Sequence, residues 1–150
     1  MSPGDTLFAA LLEGGPRLVV MPAPILDPLA VLRSTRKCDA WWLERPLSAE
    51  GVDETLLGLG VALDGDPDEA LPSLLERVRA LPRVVHEGCE ASLVERLPLT
   101  FFGRAFSSGA RGEEPWSDHG DGRAVLARWT YVREGGRAVL AFASAADAWR

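Results

Sequence analysis

The stretch LPLTFFGRAFSSGARGEEPWSDHGDGRAVLARWTYVREGGRAVLAFA, residues 97–143, decides the fold. It opens as a glycine-interrupted apolar strand, crosses a polar loop that carries one tryptophan, and closes as a long β-hairpin. Gly135-Gly136, set between two apolar runs, is a two-residue turn of the primed kind. Such turns need positive φ, which glycine supplies without a steric cost. The turn sets the register: Glu134 opposite Arg137, Val132 opposite Val139, Tyr131 opposite Leu140, and Trp129 opposite Phe142. One face then carries Trp129, Tyr131, Leu140 and Phe142, and the other Thr130, Val132, Val139 and Ala141. Neither face suits water, so we expect both to be covered.

Working outward, the rest of the chain supplies short elements to cover it. Asp5 can cap a helix through Leu12, with Leu7, Phe8, Leu11 and Leu12 on one side and Gly14-Gly15 ending it. Arg17 to Met21 reads as a strand stopped by prolines, and Asp27-Pro28 as a cap with a first-turn proline opening a second short helix. Asp39 to Glu44 is dense in β-formers. Thr55 to Leu63 is an apolar run with glycines two apart, which suits a buried strand approached closely by its neighbours. Leu71, Leu74, Leu75, Val78 and Leu81 follow helical spacing, and Pro72 places the start of regular helix at Leu71-Pro72. Arg83 to His86 reads as a brief extended piece, and Glu90 to Arg96 as a helical turn or a strand. The class is α+β, with mostly antiparallel strands and flanking short helices.

With 150 residues the chain suits one domain or part of a larger one, and no linker divides it. A net charge of −6, with arginines interleaved among acids, argues against nucleic-acid binding and against anionic membrane surfaces. No apolar run reaches the ~18 residues of a membrane helix. The acidic N-terminus lacks the basic start of a signal peptide. Cys38 and Cys89 lie far apart in sequence, and two buried, reduced thiols in a cytoplasmic protein are expected. The last residues, SAADAWR, suggest a chain that normally continues.

Candidate chemistry is sparse. Asp118, His119 and Asp121 could form a metal or acid–base cluster, but Gly120 and Gly122 make a solvated loop the simpler reading. His86 beside Glu87 lacks a nucleophile and reads as structural, and Glu113-Glu114 reads as a solvated pair. The glycines of Gly58-Leu59-Gly60 lack the strand–loop–helix setting of a phosphate-binding loop. Trp41 and Trp42 point to opposite faces of a strand, so at most one can line a pocket, and core packing is the expected role. Lys37, the sole lysine, follows Arg36 at a turn, where solvation keeps an amine too basic for general-base work. No catalytic, cofactor or metal residue is assigned on these grounds.

Taken in order, several of these pieces resemble the N-terminal region of isochorismate synthases, members of the chorismate-utilising enzyme family. They are Asp27-Pro28-Leu29, Trp41-Trp42-Leu43-Glu44-Arg45-Pro46, Gly58-Leu59-Gly60-Val61-Ala62 and Phe102-Gly103-Arg104-Ala105-Phe106. Trp116 and the hairpin from Arg128-Trp129-Thr130 through its Glu-Gly-Gly-Arg turn complete the series, over residues 25–143. Arg104 stands where a second glycine is usual, and Ala127 where a proline is common. The leucine–glutamate–serine motif and the arginine–tyrosine–serine strand of anthranilate and aminodeoxychorismate synthases are not found, which favours the isochorismate branch.

The resemblance implies a place in a two-sheet α/β sandwich, of which residues 1–150 would be a single N-terminal structural domain or fragment. It also implies that chorismate and Mg²⁺ bind mainly in a C-terminal catalytic half. There a lysine in a Lys-x-Val-Leu-Ala-Arg-type motif activates water, one glutamate is the general acid, and other glutamates hold the metal. Nothing in this sequence matches that motif, so no catalytic or metal residue carries over, and the chain alone is expected to be inactive. The expected partners are the catalytic half, in the same or a separate chain, and chorismate for the intact enzyme. The product would serve menaquinone or catechol-siderophore (salicylate-type) synthesis. Two other readings stay open: a stand-alone, non-enzymatic α+β protein-interaction module, and the N-terminal part of another chorismate enzyme.

Overall fold

The computed structural model describes residues 2–35, 38–46, 53–65, 71–104 and 122–145. The hairpin is built as its turn requires. Strands β6 (Gly122–Glu134) and β7 (Arg137–Ser144) pair in the expected register, from Glu134↔Arg137 to Trp129↔Phe142, with Gly135 at φ 56°. Around them lie β1 (Arg17–Pro22), β2 (Ala40–Pro46), β3 (Asp53–Gly65), β4 (Arg83–Val85) and β5 (Thr100–Arg104), joined into one seven-stranded sheet. The order is β2-β3-β6-β7-β1-β4, and only β1 and β4 run parallel. The strand β3 takes one edge of β6 over residues 124–134. The other edge is shared end to end, by β7 along 129–134 and by β5 along 122–126.

Among the described residues four short helices flank this sheet: α1 (Pro3–Glu13), α2 (Pro28–Ser34), α3 (Leu71–Arg79) and α4 (Ala91–Glu95). The fold is therefore mixed α+β with a mostly antiparallel sheet, as expected. The segment 90–96, open between helix and strand in the sequence, is helical over α4. The helix α2, capped by Asp27 onto the Leu29 amide, opens at the expected Asp27-Pro28, and the apolar residues at helical spacing from Leu74 to Val78 lie in α3. The cap of α1 differs. Ser2 caps it, accepting from the Asp5 amide, while Asp5 accepts from the Ser2 amide at 2.8 Å in a capping box. Hydrogen bonds from Ser2 to the carboxylate, that of its backbone amide first and that of its side chain second, hold the Asp5 carboxyl below its ordinary value. The face of α1 is also rotated from the expected one. Thr6 and Ala10 are buried, and Phe8 and Leu12 point outward. Small side chains let the helix lie close on the sheet.

Residues opposite one another across strands share a face, and the two faces are covered unequally. Leu18, Val20, Val132, Val139, Ala141 and Ala143 pack under Leu74, Val78, Leu81, Leu93 and Leu97 from α3, α4 and their flanks. That side is the main core. On the other side Ala10, Val19 and Met21 form a smaller buried cluster, with Leu7, Val84, Trp129 and Leu140 partly buried against it, and Leu57, Tyr131 and Phe142 of the same face are buried as well. The Trp129 and Phe142 rings meet there at 4.6 Å and a 58° tilt.

Two irregularities shape β3. Gly58 is close-packed, as its sequence suggests: a Cβ there would lie 2.6 Å from the Phe101 ring and 3.0 Å from Ala127 Cβ. Phe101 also stacks on Trp41, with centroids 5.7 Å apart. Gly60 departs from the regular strand expected. It takes φ +64° and donates its amide to the Asp39 carbonyl at 2.8 Å, and a bulge follows between Val61 and Leu63.

At the far end of β3, Glu54 is buried with its side chain wholly out of solvent, directly across from Glu134. Like charges in that position repel. Arg45 of β2 and Arg96 after α4 both meet the Glu54 carboxylate, and Arg96 also reaches Glu134 at 3.5 Å. Arg137 pairs with Glu90 at 2.9 Å, so the two residues flanking the hairpin turn hold both ends of α4. Glu90 beside Arg137 raises the guanidinium pKa further.

Removing one partner of a buried carboxylate costs about 3–5 kcal/mol, whereas replacing the whole pair by apolar groups is close to neutral. Arg96→Met is expected near the lower end of that range because Arg45 remains. Adding Glu54→Leu should restore most of the loss, as read by urea unfolding of both variants. Gly58→Val should cost about 1–3 kcal/mol by overpacking against Phe101, measured the same way.

Candidate functional site

The thinly covered sheet face has a groove along it, about 860 Å³ in volume. Its floor is set by cross-strand rows. One row runs Trp42–Leu57–Tyr131–Leu140–Met21, and the next runs Ala40–Leu59–Trp129–Phe142–Val19. Leu26, Val31 and Thr35 form a wall from α2 and the segment before it, and Cys38, Asp39, Gly60, Val61 and Arg128 complete the lining. The α1 helix covers the Val19 and Met21 end.

Most of the groove's polar groups already have partners inside the chain. The Tyr131 hydroxyl donates to the Pro24 carbonyl at 3.3 Å and accepts from the Leu26 amide at 3.1 Å. Thr35 Oγ1 donates to the Val31 carbonyl, and Arg128 Nη2 donates to the Val61 carbonyl at 3.1 Å. Asp39 and Asp64 each take one nitrogen of Arg123 at 3.1 Å. The two carboxylates share one guanidinium, so each already has a charged hydrogen-bond partner within the chain. Among the described residues no group of three or more His, Cys, Asp or Glu side chains is placed to hold a metal ion. The described lining of the groove offers mainly apolar contact.

The sequence candidates fall in different places. Asp118, His119 and Asp121 lie outside the described residues, as do Lys37, Phe106, Glu113, Glu114 and Trp116. His86 sits after β4, its amide on the Val20 carbonyl and its Nδ1 against the Glu87 carbonyl. It is not among the residues that line the groove. Trp41 packs on Phe101. Trp42, expected in the core, is 41% exposed, because it shares the face of Leu57 on the outermost strand, beyond the cover that reaches the centre.

The thiols also differ from expectation. Cys38 is exposed at the groove, while Cys89 is half-buried, and both are free. Cys89 donates to the Val20 carbonyl at 3.7 Å. Burial, partly offset by a backbone hydrogen bond at His86, raises its thiol pKa. The groove itself was not legible in sequence. Its floor joins residues 57, 131 and 140, and only strand pairing brings those together.

No family model matches the chain, and no curated protein matches it. Among solved structures it is similar to MenF, the menaquinone-specific isochorismate synthase from Escherichia coli, with a TM-score of 0.51 and 21% identity. The match covers 93% of this chain and 28% of that one, so the chain spans little more than a quarter of its neighbour. At that identity the likeness is one of fold.

A raised pKa leaves less thiolate on Cys89 at neutral pH, so Cys38 should react first with Ellman's reagent. Two phases are expected, one thiol fast and one slow, with the slow phase accelerating as pH rises. Cys38→Ser should remove the fast phase alone.

Proposed function

We propose that this chain is the scaffold portion of a chorismate-utilising enzyme of the isochorismate synthase type, inactive without its catalytic half. The single observation that carries the reading is the fold match: nearly the whole chain is accounted for by about a quarter of an isochorismate synthase. The order of sequence motifs over residues 25–143 points the same way. The face asymmetry of the sheet is compatible with a part that completes a larger body.

In this reading the intact enzyme adds water at C2 of chorismate and expels the 4-hydroxyl, giving isochorismate. The lysine base, the glutamate acid and the Mg²⁺ ligands belong to the half not represented here. The described residues of this chain contribute no proton-transfer group and no metal ligand to that scheme. Their role is to present a shaped, dry surface against which the catalytic half folds. The product would feed menaquinone or salicylate-type siderophore synthesis. A stand-alone interaction module is the competing reading, favoured by the apolar groove whose polar groups are largely satisfied internally.

The 150-residue protein with Mg²⁺ is expected to leave chorismate unchanged. The same chain co-expressed with the polypeptide of its own genome that carries the Lys-x-Val-Leu-Ala-Arg-type motif is expected to form isochorismate, read by product chromatography. Turnover by the chain alone, or no turnover by the pair, would overturn the proposal. Anthranilate or aminodeoxychorismate as product would move the chain to another branch of the family.

A further inference from the structure

We propose that α4, with Cys89 before it and Leu97 after it, is a strap latched to the sheet by charge, and that it opens as a unit on a folded sheet to expose the Cys89 thiol. The latch is built on one cross-strand row of the helix-covered face, Arg45–Glu54–Glu134–Arg137, drawn from β2, β3, β6 and β7. Its signs run plus, minus, minus, plus, so two carboxylates lie side by side in the middle and repel. The strap brings the opposite charge at each of its ends. Arg96 meets Glu54 and Glu134 together, and Glu90 meets Arg137 at 2.9 Å. Glu90 stands at the N-cap of α4 but makes no side-chain cap bond, its carboxylate being turned to Arg137 instead.

Between these two contacts the strap has little to hold it. It docks two fully buried side chains, Leu93 and Leu97, while Cys89 and Val94 are only partly buried against the same core. Leu93 and Val94 donate their amides to the Glu90 carbonyl, and Leu97 donates to that of Val94. Those bonds travel with the segment, and the strand ladders keep theirs when it lifts. Gly88 precedes it at φ +88°, a conformation other residues resist, and strand pairing resumes at Thr100. A five-residue helix with few docked side chains and local hydrogen bonds is the kind of unit that opens below the global unfolding free energy. Exposing two leucines keeps the open form scarce, on the order of one molecule in a thousand.

Cys89 is the reactive group the strap controls. While the strap is down, its thiol packs on the core and donates to the Val20 carbonyl at 3.7 Å. Lifting the strap breaks that contact and gives the sulfur to solvent.

Cys89 is followed alone, in a Cys38→Ser background, with Ellman's reagent at one fixed pH. Arg96→Met should raise its rate about a hundredfold, because Arg96 meets the sheet only in the closed form. Glu90→Gln should raise it only about two- to fivefold, since the Glu90–Arg137 pair is exposed. Tyr131→Phe is the control. It removes the hydroxyl that holds Pro24 and Leu26 on the opposite face, so its urea midpoint should fall while its Cys89 rate stays the same. Hydrogen exchange of the unsubstituted protein gives a second reading: the Leu93, Val94 and Leu97 amides should exchange before those of Val132 and Val139 in the β6–β7 ladder.

A Tyr131→Phe protein whose Cys89 speeds up in step with its lost stability overturns the strap, because the thiol is then reached by global unfolding. An unchanged rate in Arg96→Met overturns it too, the thiol then reacting with the strap closed. So does exchange of the strap and ladder amides together.

Discussion

Strand β6 has to satisfy both of its hydrogen-bonding edges over thirteen residues, and the arrangement of the sheet follows from that demand. One edge is met by β3, which is equally long and bends at Gly60 and the following bulge to stay in contact. The other edge is too long for β7 alone, because the two-residue turn starts the hairpin at Glu134 and β7 separates after Trp129↔Phe142. The Gly122 end is then left for β5. An unpaired edge inside a core would leave amides and carbonyls without partners, at a cost comparable to lost hydrogen bonds. The ladder therefore recruits strands from both before and after it in the chain.

The same geometry explains why one side of the sheet is finished and the other is not. The charge network around Glu54 ties β2, β3, β6 and the ends of α4 together, so α4 stays on its side of the sheet although a five-residue helix has little stability of its own. The opposite face has no comparable anchor. Its cover is α1, held close by Thr6 and Ala10, and the segment before α2, held by the Tyr131 hydroxyl. Between those two covers the strands keep their apolar side chains and most of their polar groups are spoken for.

Much of this fold could be read from local signals. The glycine turn set the hairpin register, the Asp27-Pro28 cap opened α2, helical spacing marked α3, and Gly58 marked a close approach. Readings of single side chains fared less well. Trp42 and Cys38 look like core residues by type and are exposed, because type says nothing about whether a covering layer reaches that place. Phe8 and Leu12 look like the buried side of α1, but the helix lies so close to the sheet that Thr6 and Ala10 fit instead. Glu54, by contrast, gave no sign of burial. Its arginine partners are 9 and 42 residues away in sequence, and only tertiary pairing brings them together.

By itself the sequence determined the periodicities, the caps, the turn and hence the kinds and limits of the elements, since these depend on backbone preferences acting over a few residues. It also set the negative charge and the scarcity of groups suited to catalysis. The tertiary structure decided which strands became neighbours, which sheet face was roofed, and that Leu57, Tyr131 and Leu140 would line up across three strands as the floor of an open groove. Those outcomes depend on contacts between residues tens of positions apart, where local propensity carries no information and only the combined packing of the sheet and its helices does.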